Sequence, residues 1–204
     1  MIPTYPEFFN RAPRIRTFDP LAAFLGAPVD GVFEYGFADA VKLAGHSCPT
    51  VAGTYLMVRA GLAALYPNDL PERGGVRVAF DEAATQGVTG VMAAVASLIT
   101  GARERDGFHG LAGRFNRNGL LTFAKPVGAG MMLERVDTGA KVGVDYRPGC
   151  VPGNPAMGPL MQACLDGSAD PAERIEFGRL WQERVERILI DHAEDRGMIL
   201  VRDM

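Results

Sequence analysis

Four consecutive residues, His46-Ser47-Cys48-Pro49, carry the clearest chemical content of the sequence. Proline suits the first position of a helix, where its missing N–H leaves no bond unmade. Cys48 is then the helix cap. Its thiol faces unsatisfied backbone N–H groups and the positive end of the helix dipole. Sulfur so placed serves as a metal ligand or as a nucleophile. His46 stands two residues earlier, on the loop entering the helix. A soft sulfur and an imidazole this close together suit zinc, copper, nickel or iron. Two donors do not complete a zinc site, structural or catalytic. The competing reading is a small buried Cys beside a capping His.

Few other residues are available to such a site. The chain has three cysteines, Cys48, Cys150 and Cys164, and three histidines, His46, His109 and His192. The odd cysteine count and the lack of a CxxC spacing argue against a disulfide framework and a self-contained zinc ribbon. Any metal site must therefore join distant segments. His109, on a glycine-flanked loop, is the candidate third ligand, against a solvent-exposed loop histidine. His192 repeats the phase of Val185 and is expected on a packed surface. Cys164, among Leu160, Met161 and Leu165, reads as core. Cys150 reads as a loop cysteine, with a second thiol ligand as its alternative. Tyr55 and Phe108, with Met57 and Met131, are candidates to line an apolar cofactor pocket, although such residues are more often core. Cys48-Pro49 also matches a dipeptide of some haem proteins, where a thiolate is an axial ligand. Haem is thus the alternative to zinc or another bare transition metal.

The elements that must position these residues are legible as patterns. Residues 1–18 form a Pro- and aromatic-rich extended arm whose apolar side chains must cover this chain or a neighbour. A short helix is expected after the Asp19-Pro20 cap, and another from Phe37 to Leu43, ended by Gly45. Val51, Tyr55, Val58, Leu62 and Leu65 fall at near-helical spacing, predicting a mostly buried helix from Pro49 to about Tyr66. Val76–Phe80 alternates as a strand. Val88–Ile99 reads as a small-residue helix stopped by Gly101, and 102–113 as a loop carrying His109. Strands are expected at Leu120–Ala124, Met131–Val136 and Val142–Tyr146, joined by turns suited to antiparallel pairing. Residues 148–159 read as an irregular loop. Asp170, Pro171 and Glu173 start a C-terminal helix over 170–196, and Met198–Val201 a last strand. The order predicts a single α+β domain over 1–204, with a mixed or antiparallel central sheet, packed helices and a C-terminal helix.

Gly45-His46-Ser47-Cys48-Pro49, followed by an apolar helix with Gly53, resembles the Gly-His-x-Cys-Pro signature of the FmdE family, which takes its name from formylmethanofuran dehydrogenase. The strand Val76–Phe80, an acidic residue (Asp81 or Glu82), a helix ending in Thr100-Gly101 and a Gly-rich loop extend the similarity over roughly residues 35–150. The resemblance implies an α+β domain, often dimeric, with a metal near His46 and Cys48. Members commonly carry a Cys and an Asp on the helix before Thr-Gly; Val91–Ser97 has neither. The loop after Gly101 is longer than usual and brings Phe108-His109-Gly110. The C-terminal zinc ribbon of some members is missing. The family name does not imply formylmethanofuran dehydrogenase activity, and the chain shows no molybdopterin or iron–sulfur signature.

Bulk properties narrow the rest. A length of 204 residues suffices for one substantial core. A net charge of −3 without a basic cluster argues against nucleic acid. No run of about 18 apolar residues appears, which argues against a membrane span. Prolines and charges interrupt the N-terminus where a secretion signal needs an apolar stretch, so a cytoplasmic protein is expected. The apolar arm favours a homodimer. No Walker loop, no GxGxxG after a strand and no HExxH occurs. Three functions compete: a metal- or metallocofactor-binding protein, a thiol enzyme with Cys48 as nucleophile and His46 or His109 as base, and a non-catalytic accessory subunit.

Overall fold

A computed structural model describes residues 4–204, so the first three residues of the expected arm lie outside the described residues. Helix α4 (Pro49–Leu65) is the centre of the fold. Its apolar residues occupy every face, the mark of a helix buried all round. Val51, Ala52, Tyr55, Leu56, Met57, Val58 and Leu62 are all but sealed from solvent. At Gly61 a side chain would run into Leu133 and Val144, so the missing Cβ lets α4 lie close on the sheet.

That sheet has five strands: β3 (Val76–Ala79), β4 (Leu121–Thr122), β5 (Met131–Arg135), β6 (Lys141–Tyr146) and β7 (Ile199–Asp203). Their spatial order is β4-β3-β5-β6-β7. β4 runs parallel to β3 and the other neighbours are antiparallel, so the fold is α+β with a mixed sheet. The β5–β6 hairpin turns through Asp137-Thr138-Gly139, as its residues predict, with Gly139 at φ +74°.

The other expected hairpin does not form. β4 and β5 are not neighbours, because β3 lies between them. The chain leaving β4 clings to β3 instead. Phe80 N donates to Thr122 O and Lys125 N to Phe80 O, and Asp81 then captures the turn by accepting from Val127 N and Gly128 N. Those bonds turn residues 123–128 across the end of β3, and the chain returns on its far side as β5.

The N-terminal residues are more structured than an extended arm. They form one helical turn, α1 (Phe8–Arg11), and β1 (Ile15–Phe18), which pairs antiparallel with β2 (Val32–Tyr35). Their apolar side chains cover this same chain. Phe8, Phe9, Ala12 and Ile15 are buried, and Phe9 meets Phe37 edge-on with centroids 4.9 Å apart. Helices α2 (Pro20–Leu25) and α3 (Phe37–Ala44) end at Gly26 and Gly45, both left-handed. Helix α5 (Thr89–Thr100) ends likewise at Gly101.

Beyond β6, the stretch read as an irregular loop holds a 3-10 turn at Pro148–Cys150 and the start of α6 (Met157–Asp166). Helix α7 (Pro171–Glu186) opens with the expected reciprocal cap. Glu173 N donates to Asp170 at 2.8 Å and Asp170 N to Glu173 at 2.9 Å. It ends before the expected boundary, passing into a π-helical turn at Arg187–Asp191. No helix among the described residues is long and apolar enough to cross a membrane.

Candidate functional site

The left-handed Gly45 ends α3 and turns the chain so that α4 starts soon after, with Cys48 between. Cys48 is the N-cap. Its backbone is extended (φ −149°, ψ 166°), Pro49 takes the first helical position, and Sγ accepts from Val51 N at 3.4 Å. The side chain is 8% exposed. His46 is exposed, and its Nδ1 lies 2.9 Å from Ala44 O. A carbonyl can only accept, so Nδ1 carries the proton. In neutral imidazole that leaves the Nε2 lone pair free, the usual arrangement of a histidine ready to bind metal.

Helix α7 clamps the intervening residue. Trp181 Nε1 and Gln182 Nε2 donate to Ser47 O at 2.9 and 3.3 Å, and Ser47 Oγ donates to Gln182 Oε1 at 2.9 Å. The loop that carries both candidate ligands is therefore held by a segment more than a hundred residues away in the chain.

His46 and Cys48 line a cavity of about 970 Å³. It lies at the sheet end where β3 and β6 finish and β5 begins. Phe80, Asp81 and Glu82 follow β3, Gly128–Gly130 precede β5, and Asp145 and Tyr146 end β6. Helix α4 adds Met57, α5 adds Thr89 and Met92, and α7 adds Trp181 and Arg184. The carboxylates are engaged. Asp81 Oδ1 accepts from Val127 N and Gly128 N, and Glu82 Oε2 from Thr89 Oγ1. Asp145 accepts from Gly130 N at 2.7 Å and pairs with Arg202 at 2.7 Å.

The other residues expected at the site lie elsewhere. His109 is exposed on the 102–119 loop, and its Nδ1 lies 2.9 Å from Asn118 Nδ2. Phe108 borders a separate hollow of about 260 Å³ with Leu43, Arg73 and Arg117. Tyr55 is fully buried, with its hydroxyl against Pro13 O at 2.7 Å and Tyr35 O at 2.9 Å. Met131 is core, whereas Met57 does reach the cavity. Cys150 is exposed with Sγ 3.7 Å from Gly197 O, Cys164 is half-buried, and His192 pairs with Asp195 at 2.8 Å. Among the described residues, no three His, Cys, Asp or Glu side chains gather in a metal-binding group.

Asp145, Tyr146, Trp181 and Arg184 had no local signal. Each reads in sequence as an ordinary strand-end or helix-surface residue. Gly53, part of the helix that follows the Gly45–Pro49 motif, marks the position of Tyr146. A methyl group there would fall inside the ring of Tyr146, which lies flat against α4. Gly53→Ala gains about 1 kcal/mol of helix propensity but forces an overpacking cost of roughly 1–3 kcal/mol. We expect a net loss of stability of up to about 2 kcal/mol in denaturant unfolding, abolished when Tyr146→Ala is added. A Gly53→Ala protein more stable than the parent would contradict this packing.

The Tyr146 hydroxyl itself is buried with no hydrogen-bond partner among the described residues. Burial pushes its phenol up to about 12, against the opposing pull of Arg184, so it stays a proton donor at neutral pH. No protein-family model matches the chain and no curated protein matches it as a relative, so any function must be argued from the geometry of this cavity.

Proposed function

We propose that the protein binds a transition metal, or a cofactor carrying one, with His46 Nε2 and Cys48 Sγ as the protein donors. The observation that carries this reading is that both side chains line one cavity of about 970 Å³. An imidazole and a sulfur fit zinc, copper, nickel or iron. The volume exceeds what a bare ion needs. It favours a metal whose remaining coordination positions are filled by atoms of a bound organic molecule, haem being one such group. Zinc with an exogenous ligand is the simpler form. When bound, the metal supplies Lewis-acid or electron-transfer chemistry. The chain's own part is to hold the two donors: Ala44 O orients His46, and the Trp181–Gln182 clamp fixes the loop. Membership of the FmdE family, a homodimeric state and a cytoplasmic location belong to the same proposal. They are supported by the Gly45–Pro49 motif and the sequence reading.

The test is metal analysis and an absorption spectrum of freshly purified protein beside Cys48→Ala and His46→Ala. We expect near-stoichiometric metal in the parent and its loss in Cys48→Ala. A Soret band would identify haem. Metal-free, colourless protein never exposed to chelator would sink the reading. It would leave the thiol-enzyme alternative, which the placement of Cys48 Sγ on the same cavity wall also supports. Alkylation separates the two, since a metal-bound Cys48 resists iodoacetamide until a chelator is added.

A further inference from the structure

We infer that Arg184 and Tyr146 form an anion-binding subsite in this cavity, and that its ligand is an amphipathic molecule with an oxyanionic group, a carboxylate, phosphate or sulfonate, at one end. The inference rests on the cavity being a ligand site, but not on a metal being there.

Arg184 is held in place by backbone alone. Its Nε donates to Val151 O at 2.8 Å and its Nη2 to Pro148 O at 3.2 Å. It pairs with no carboxylate among the described residues, whereas Arg73, Arg117, Arg135 and Arg202 each have one. A half-buried guanidinium at a cavity wall, fixed in direction and without a counter-charge, matches a planar oxyanion. The second observation is the Tyr146 hydroxyl, on a residue that lines the same cavity: it is buried and has no hydrogen-bond partner among the described residues. Both residues line the cavity, and Arg184 grips the carbonyl of Pro148, two residues beyond Tyr146 in the chain.

Each acidic residue on the cavity wall has partners of its own. Asp145 pairs with Arg202. Asp81 accepts from Val127 N and Gly128 N, and Glu82 from Thr89 Oγ1, at the end of β3, which β5 separates from β6. Met57, Phe80, Met92 and Trp181 leave an apolar wall along the cavity for the body of the ligand.

The probes are 1-anilinonaphthalene-8-sulfonate and its neutral counterpart N-phenyl-1-naphthylamine, titrated into chelator-treated protein. Trp181 is the only tryptophan and lines the cavity, so energy transfer from it reports binding at this site. The parent should bind both probes. Arg184→Gln should weaken the sulfonate roughly tenfold or more, the scale of a lost charge-assisted bond, and leave the neutral probe unchanged. Tyr146→Phe keeps the ring on Gly53 and removes only the unpartnered hydroxyl. It should weaken the sulfonate alone, and it settles the matter if Arg184→Gln fails to fold. Equal loss of both probes, or an unchanged sulfonate affinity in both variants, overturns the subsite while leaving the cavity reading intact. Binding of neither probe by the parent overturns the cavity reading and the subsite with it. Metal content does not enter either result.

Discussion

Asp19→Ala is expected to lower the unfolding free energy by about 3–5 kcal/mol, the range for stranding the partner of a buried ion pair. Asp19 does three jobs at once. It caps α2 through Leu21 N and Ala22 N, pairs with Arg73 at 2.9 Å and pairs with Arg117 at 2.7 Å. Arg117 is only 6% exposed and also donates to Arg73 O, beside Gly74 at φ +88°, where a side chain would collide with the guanidinium. Removing the carboxylate leaves that charge buried without its partner, and the cap is lost as well, typically another ~1 kcal/mol.

The same site makes stability depend on acid. Burial raises the Asp19 carboxyl, but the Arg73 hydrogen bond and the Arg117 charge outweigh it, and the net shift is downward from 3.8. Burial, together with the neighbouring Arg73 charge, outweighs the upward pull of Asp19 on the Arg117 guanidinium, yet an arginine stays charged at any pH of interest. The pH dependence therefore belongs to the carboxylate. A depressed folded-state value gives stability that is fully present above the unfolded value. It is lost as pH falls through the folded one. Denaturant midpoints taken from neutral pH down to acid should fall for the parent below about pH 4 and fall less for Asp19→Ala. A loss below about 1 kcal/mol at neutral pH would mean that the ion pair is not as buried as the structure has it.

Tyr55→Ala should cost a similar amount, about 3–5 kcal/mol, as for other large aromatic truncations in a core. The ring is fully buried and meets Phe37 edge-on with centroids 5.9 Å apart. Its hydroxyl ties α4 to the N-terminal segment at Pro13 and to β2 at Tyr35. Tyr55→Phe separates packing from hydrogen bonding and should lose only about 1 kcal/mol. Neither substitution removes a cavity wall, so metal content per folded molecule should not change. Loss of bound metal in a stably folded Tyr55→Phe protein would restore Tyr55 as a cofactor contact.

The features read correctly from sequence are those whose physics is local. A cap, a proline at a helix start and a left-handed glycine at a helix end are settled within a few residues. The starts of α2, α4 and α7 and the stops at Gly45 and Gly101 therefore follow from composition and order. Cys48 as the N-cap of α4 belongs to this class, and so does its nearness to His46. The near-helical spacing of Val51, Tyr55, Val58, Leu62 and Leu65 likewise marks α4, and the apolar residues on its other faces mark its burial.

Partners and neighbours were another matter. β1 and β2 are four-residue strands, too short for a repeat, and helix α6 starts after Ala156 without a side-chain cap. None has a local signal of its start. Turn chemistry at Val127–Gly130 suggested a hairpin, but the Asp81 carboxylate decided where that turn would lie. His109 and Phe108 were plausible because a glycine-rich loop can reach far, yet the 102–119 loop packs elsewhere. Residue order alone was enough for the α+β class, the helix ends and the Gly45–Pro49 element with Cys48 as its helix cap. What surrounds His46 and Cys48 depends on folding. The cavity needs segments separated by up to some 140 residues to converge at one sheet end. Such convergence is set by packing and hydrogen bonding between elements, which leave no periodic or short-range mark along the chain.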